Sequence, residues 1–139
     1  APNNAPLLPH LGILAGGGKL PRRMVDACLR QGRNVFVLSF DHAASASDYA
    51  DVPYANVRTG AVGEAIVRLR EAGVEQVVMA GNMRRPSLFS LKPDKAGAKL
   101  LARLGSAFFA GDDALLTALI RFLEEEGFSV AGVQDVLAD

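Results

Sequence analysis

The sequence predicts a Rossmann-like α/β domain with three layers and a mostly parallel sheet. Short apolar runs that do not alternate with polar residues predict strands buried on both faces, as in a parallel sheet. Segments with apolar residues at helical spacing separate these runs, which indicates βαβ units with helices on both faces. The chain has 139 residues, 50% of them hydrophobic, which is enough for one domain with its own core.

The first predicted unit is a strand, a glycine-rich loop and a helix. The strand covers 11–15, and the helix covers 20–29 with Pro21 in its first turn and Gly32 just past its last turn. A second strand is predicted at 34–40, because this near-continuous apolar run is rich in β-branched and aromatic residues. Strand, loop, helix and strand together predict the start of a parallel sheet.

The middle of the chain is predicted to contain a weakly patterned connection and a second helical unit. Residues 41–52 show no clear period and predict an irregular connection or a short helix. A short strand is predicted at 54–58, a helix with one apolar face at 59–72, and a buried strand at 75–81.

Two helices and a last strand complete the predicted domain. One helix covers 93–104 and begins at Pro93-Asp94, and the other begins at 111–113 and ends at Gly127. Residues 128–133 are predicted to form the last strand. The apolar face of the second helix is predicted to consist of Leu115, Leu116, Leu119, Ile120, Phe122 and Leu123.

Only the first residues of the chain lie outside this pattern of strands and helices. Residues 1–10 are rich in proline and predict a flexible leader, and 11–139 are predicted to form the single Rossmann-like domain. No apolar run approaches the roughly 20 residues of a transmembrane helix, and no signal peptide is visible, so a cytoplasmic location is expected.

Composition and charge exclude several classes of protein. The formal net charge is zero, whereas electrostatic binding of nucleic acid requires a basic surplus, so no nucleic-acid partner is expected. The single cysteine, Cys28, excludes an internal disulfide and a cysteine-based metal knuckle, and its place in a helix predicts a small buried hydrophobe. His10 and His42 have no partner at metal-ligand spacing, so no metal site is predicted from them.

The loop after the first strand is the main candidate for ligand binding. Gly16, Gly17, Gly18 and Lys19, here called the glycine loop, precede a predicted helix, whose N-terminus favours an anion such as phosphate. Pro21 stands where a dinucleotide fingerprint needs glycine, and Lys19 lacks the spacing of a Walker loop. A tight turn that needs positive φ explains one glycine well and three in succession poorly.

Two further loops carry charged candidates. Asn82, Arg84 and Arg85, here called the arginine loop, follow a predicted strand, and paired guanidinium groups there either clamp a phosphate or form a solvated surface pair. Asp112 and Asp113, here called the aspartate pair, either cap a helix start or contact Mg²⁺ or a sugar hydroxyl.

A loop with two glycines has two open interpretations. Gly60 and Gly63 lie between a predicted strand and a predicted helix. They either line the ligand cleft or allow close packing of the elements that they join.

A set of short segments resembles one enzyme family. In order they are Ala15 to Pro21, Gly60 to Gly63, Ala80 and Gly81 with Arg85 to Ser87, Pro93 and Asp94, Gly111 to Leu116, and Glu126 to Phe128 with Asp135 to Leu137. The chain resembles the N-terminal half of the UDP-2,3-diacylglucosamine pyrophosphatases of lipid A synthesis, of the type unrelated to metallophosphoesterases. The resemblance covers nearly everything from Leu11 to Leu137.

The resemblance implies a Mg²⁺-dependent hydrolase that attacks the α-phosphate of a UDP-linked diacylated glucosamine. The products implied are UMP and 2,3-diacylglucosamine 1-phosphate. A second, C-terminal domain, absent from this chain, would carry the acidic metal-site residue, so most Mg²⁺ ligands are expected outside these residues and this chain alone is expected to be inactive. The glycine loop would bind a phosphate, the arginine loop would add countercharge, and the aspartate pair would contact sugar or metal.

The residues leave two other classes of function open. A nucleotide- or phosphate-binding regulatory module would use the glycine loop without catalysis, and a structural domain would serve dimerisation or docking. The lipid substrate implies possible peripheral contact with the inner face of the inner membrane, and a homo-oligomer is compatible with the sequence.

Overall fold

A computed structural model describes residues 9–41, 43–81, 93–105 and 112–137, with the side chains of 112 and 113 left aside. The strands are β1 (Leu11–Ala15), β2 (Val35–Phe40), β3 (Tyr54–Val57), β4 (Gln76–Ala80) and β5 (Ser129–Val130). They form one sheet in the order β3-β2-β1-β4-β5, and every pairing is parallel. This order is the Rossmann order, so the predicted fold class is confirmed.

Helices cover both faces of the sheet. They are α1 (Leu20–Arg30), α2 (Val62–Glu71), α3 (Lys95–Leu104), α4 (Asp112–Glu125) and α5 (Val133–Leu137), with a short 3₁₀ helix at Ala46–Tyr49. One hydrophobic core joins the sheet to α1, α5 and the 3₁₀ helix, and the other joins it to α2, α3 and α4. The result is a three-layer domain.

Alternation along the strands builds the two cores. Leu11, Ile13 and Ala15 of β1 belong to the core under α1, while Leu14 belongs to the core under α2. At Gly12 an added Cβ would lie 2.9 Å from Val74 Cγ1, so only glycine permits this strand to approach its neighbours so closely.

The start and end of α1 agree with those predicted from the sequence. Pro21 lies in its first turn, and Gly32, just past the C-cap Gln31, has a φ of +69°. Cys28 is fully buried, as predicted, and burial raises the pKa of its thiol. A buried neutral thiol of this kind acts as a packing group.

The predicted last strand is wrong in its second half. Only Ser129 and Val130 pair with β4, and the chain then enters α5 at Val133. The cause is a local turn, because Asp135 Oδ2 accepts a hydrogen bond from the Gly132 N–H at 3.0 Å. The turn sends Val136 into the core under α1.

Four of the six residues predicted for the apolar face of α4 pack into the core under α2, and Leu116 and Ile120 do not. Phe122 and Leu123 are buried, whereas the Leu116 side chain is 44% exposed. The packed stripe includes Leu115 and Ala118, and Leu116 lies at its edge near the helix start. A single extra leucine does not change the helix, because isolated apolar residues at the surface are common.

Hydrogen bonds hold the end of the predicted leader at the amino edge of the sheet. The Arg33 Nε–H donates to Pro9 O at 2.7 Å, and the Glu75 N–H donates to His10 O at 2.9 Å. His10 therefore lies at the edge opposite the glycine loop. Residues 1–8 and His42 lie outside the described residues.

None of the helices in the described ranges is long and apolar enough to cross a membrane.

Candidate functional site

The strand order places the switch point of the sheet between β1 and β4. From β1 the chain moves outward through β2 and β3, and it then returns to β4 on the other side of β1. Ligands of open α/β sheets bind at such a point, outside the carboxyl ends of the strands. The glycine loop follows β1 and Gly81 follows β4, so both lie there.

The loops after β1 and β4 are in direct contact. The Gly16 N–H donates to Ala80 O at 2.8 Å. Gly81 has a φ of +96°, and an added Cβ there would lie 2.7 Å from Gly17 O and 2.9 Å from Gly16 C. Gly81, the residue before the arginine loop, therefore touches the glycine loop.

The glycine loop contains more glycine than its turn requires. Of its three glycines only Gly18, with a φ of +94°, has a backbone that favours glycine. Gly16 and Gly17 have ordinary φ values, and their lack of side chains instead lets this loop pack closely against the end of β4, where Gly16 is buried. Gly18 and Lys19 are exposed.

The start of α1 has no carboxylate cap from its own residues. Lys19 occupies the N-cap position without a side-chain capping bond, and the first turn contains no acidic residue. The first N–H groups of a helix have no partner within the helix and carry partial positive charge. An anion such as phosphate is the group that this helix start can accept.

The starts of α2 and α3, in contrast, share one carboxylate. Asp94 accepts hydrogen bonds from the Gly97 N–H at 2.8 Å and from the Glu64 N–H at 3.2 Å. Partial burial opposes ionisation of this carboxyl, but N–H donors from Gly97, Gly63 and Glu64, with the charge of Arg58, hold its pKa below the usual range. The protein's own anion thus occupies these two helix starts.

Close packing supports one of the two interpretations of Gly60 and Gly63. An added Cβ at Gly97 of α3 would lie against Gly60 O, and one at Gly63 would lie 3.0 Å from Asp94 Oδ2. The glycines at 60, 63 and 97 therefore let α2 and α3 meet around Asp94. This geometry favours packing over a role in lining a ligand cleft.

Buried polar side chains join the ends of β2 and β3. The Ser39 side chain is fully buried, and its Oγ lies 2.7 Å from the Tyr54 hydroxyl oxygen and 2.8 Å from Asn56 Oδ1. The Tyr54 hydroxyl also donates to Ala44 O at 3.0 Å. The sequence analysis did not select these residues, although a serine inside an apolar run was a visible signal.

Asp41 is a second residue that the sequence analysis missed. It follows β2 and is the only non-glycine residue of the described ranges with positive φ, at +51°. Its Oδ1 accepts a hydrogen bond from the Thr59 N–H at 3.1 Å. Its signal was its position, directly after a buried strand.

The other predicted site residues lie partly outside the described ranges. Asn82, Arg84 and Arg85 lie outside them altogether. Asp112 and Asp113 begin α4, and their side chains are not described. Because α4 leads into the parallel strand β5, its start lies at the carboxyl edge of the sheet, as does the glycine loop.

The described side chains do not form a metal centre. Across 9–41, 43–81, 93–105 and 114–137, no three His, Cys, Asp or Glu side chains cluster at metal-ligand distance. Asp94, a carboxylate at the carboxyl edge, already accepts hydrogen bonds from backbone N–H groups. We therefore assign no Mg²⁺ ligand to the described residues and derive no step through the metal.

Comparison with known proteins identifies the family. Residues 10–139 match the family described as the LpxI N-terminal domain. The chain is 37% identical over 129 residues to the UDP-2,3-diacylglucosamine pyrophosphatase LpxI of Caulobacter vibrioides, an alignment that covers 93% of this chain and 46% of the relative. The chain thus spans less than half of that relative's length. The resemblance predicted from the sequence is confirmed, and the chain belongs to the LpxI N-terminal domain family.

Proposed function

We propose that this chain is the phosphate-binding part of a Mg²⁺-dependent hydrolase of lipid A biosynthesis that cleaves UDP-2,3-diacylglucosamine at its α-phosphate. The products would be UMP and 2,3-diacylglucosamine 1-phosphate. The observation that carries the proposal is the uncapped start of α1 at the switch point of the sheet. Membership of the LpxI N-terminal domain family supplies the substrate class.

The glycine loop would bind the pyrophosphate through its backbone. Gly18 and Lys19 are exposed, and neither the N-cap residue nor the first turn of α1 provides a carboxylate that would compete for their N–H groups. Donors fixed in place before the reaction stabilise the negative charge that develops on phosphate oxygens in the transition state. The Lys19 ammonium and the arginine loop, which follows Gly81 in the sequence, would add countercharge.

The metal and the attacking water would come from outside the described residues. Hydrolysis of a phosphoric anhydride requires charge stabilisation, a positioned water and a site from which bulk water is excluded. The described part of this chain provides anion-binding backbone but no cluster of metal ligands. We propose that the remaining metal ligands and the water site lie in a segment like the one that follows this domain in the longer relative.

The reaction would take place in the cytoplasm at the inner face of the inner membrane. The substrate carries two acyl chains, and its UDP group is the part that the carboxyl edge of the sheet can bind. Either a peripheral membrane contact or a second copy of the chain would help to present the lipid.

The test is release of UMP from UDP-2,3-diacylglucosamine, with Mg²⁺ and with EDTA. The assay compares this 139-residue chain with a fusion in which the remaining part of the Caulobacter relative follows Asp139. The expected result is UMP release by the fusion in Mg²⁺ only and none by the chain alone. Release by the chain alone, or release that persists in EDTA, contradicts the proposed division of roles.

A regulatory module that binds nucleotides without hydrolysis is the alternative. This alternative gains support if the chain and the fusion both bind UMP saturably and neither of them releases UMP from UDP-2,3-diacylglucosamine. Correct folding of the fusion, checked by circular dichroism and by a cooperative thermal transition, is the control for that outcome.

A further inference from the structure

A carboxylate follows β2, the strand next to β1, and β1 leads into the glycine loop. In the sheet, Ser39 of β2 is the register partner of Ala15 of β1. Two residues further along the sequence from each of them are Asp41 and Gly17. Neighbouring strands lie about 4.8 Å apart, so Asp41 follows a strand that lies one spacing from the strand that leads into the glycine loop.

The Asp41 side chain is fixed in an unusual backbone conformation. The Asp41 N–H donates to Val57 O at 2.8 Å, and the Ala43 N–H closes a turn onto Phe40 O at 3.0 Å. The φ of +51° at Asp41 is tolerated by aspartate and asparagine better than by most other side chains. Thr59 N–H then holds Oδ1, which orients the carboxyl group between the ends of β2 and β3.

The Asp41 carboxylate is exposed, and among the described residues only Thr59 is bonded to it. Its Oδ2 makes no hydrogen bond or ion pair with another described residue. Below it, the buried contacts of Ser39 with Tyr54 and Asn56 tie β2 to β3. The carboxylate thus follows two strands that buried polar contacts hold together.

The ribose of a nucleotide matches this acceptor. Two vicinal hydroxyl groups can donate to a carboxylate, and the ribose is directly bonded to the 5′-phosphate. In dinucleotide-binding Rossmann domains an acidic residue roughly 20 residues beyond the glycine turn accepts such hydroxyls. This chain lacks the dinucleotide fingerprint, yet its strand order puts Asp41 in the corresponding place.

We infer that Asp41 accepts hydrogen bonds from the ribose hydroxyls of the bound uridine nucleotide and so selects ribonucleotides. The inference rests on the proposed function, since it requires a nucleotide phosphate on the glycine loop. It assigns the nucleoside to the β1–β2 side of the switch point.

The experiment compares binding of UMP and of 2′,3′-dideoxy-UMP to the 139-residue chain by calorimetry. Asp41→Asn keeps the acceptor for Thr59 and tolerates positive φ, and Asp41→Gly removes the side chain at a φ that glycine adopts freely. Asp48→Asn is the matched control, because it removes an exposed carboxylate from the same connection.

Wild-type chain and the Asp48 variant are expected to bind UMP about tenfold more tightly than the dideoxy nucleotide, which corresponds to about 1.4 kcal/mol. In both Asp41 variants the ratio should fall to within twofold, while the affinity for the dideoxy nucleotide is retained. A ratio that stays tenfold in the Asp41 variants overturns this inference alone. If the wild-type chain binds neither nucleotide, the proposed function fails and the inference fails with it.

Discussion

Replacing Gly81 with alanine tests the contact between the two loops at the switch point. An alanine Cβ there would lie 2.7 Å from Gly17 O and 2.9 Å from Gly16 C, well inside van der Waals contact. Both of those atoms belong to the backbone, so rotation of a side chain cannot relieve the clash. The glycine loop must shift, and binding of a phosphate to it should weaken.

The expected loss in the free energy of unfolding has two parts. A left-handed backbone costs alanine about 1–2 kcal/mol, and overpacking against fixed atoms costs about 1–3 kcal/mol more. Gly127 provides the matched control, because its φ is +100° and an added Cβ meets nothing within 4 Å. Gly127→Ala should therefore cost only the backbone part.

The assay is urea unfolding of both variants, followed by circular dichroism. We expect Gly81→Ala to lower the free energy of unfolding by about 1–3 kcal/mol more than Gly127→Ala does. Calorimetry with UMP should show weaker binding for Gly81→Ala and unchanged binding for Gly127→Ala. Equal destabilisation with equal UMP affinity would refute the argument that the two loops are in contact.

Three further predictions concern charged residues. Asp94→Ala should lower the free energy of unfolding by about 2 kcal/mol in urea, because two helices lose their cap, whereas Asp135→Ala should cost less. Hydrogen bonds from Arg22 hold the pKa of Asp51 at about 2. The ionised Asp51 therefore stabilises the folded protein fully above the ordinary carboxyl pKa, and this stabilisation is lost as pH falls from about 4 to 2. The urea midpoint of Asp51→Asn should therefore fall less over that range than the wild-type midpoint, and equal slopes would contradict this. Arg85→Ala should reduce UMP release by the fusion about tenfold or more, and unchanged turnover would remove Arg85 from the site.

The fold could be predicted from the sequence because its signals are local and repeated. Each of β1, β2 and β4 is a short apolar run. Pro21 and Gly32 mark the start and end of α1, and Asp94 marks the start of α3. The last strand was predicted too long because the turn at Gly132 depends on a single side-chain acceptor, Asp135. A bond of this kind has no apolar period that could predict it.

The site was only partly predictable, for a different physical reason. The glycine loop has an anomalous composition, so its residues could be selected without a structure. Ser39 and Asp41 belong to β2 and its end, whereas Tyr54 and Thr59 belong to β3 and the loop after it, and only the pairing of β2 with β3 brings them together. The role of Asp94 likewise depends on a contact between two helices that no sequence spacing encodes.

One carboxylate determines which helix start at the carboxyl edge can hold a ligand. Among the long helices whose first-turn side chains the structure describes, α1, α2 and α3 begin there, and each start would attract an anion. Asp94 occupies two of these three starts, and glycines at 60, 63 and 97 let those two meet closely. The start of α1 has no side-chain cap, and it follows a strand that lies one spacing from β2 and Asp41. The proposed phosphate at α1, with its ribose toward β2, fits this arrangement, and Asp94→Ala offers a direct check. If Asp94 is what keeps anions away from α2 and α3, its removal should create a second, weaker phosphate site, seen as a second binding step for inorganic phosphate that the wild-type chain lacks.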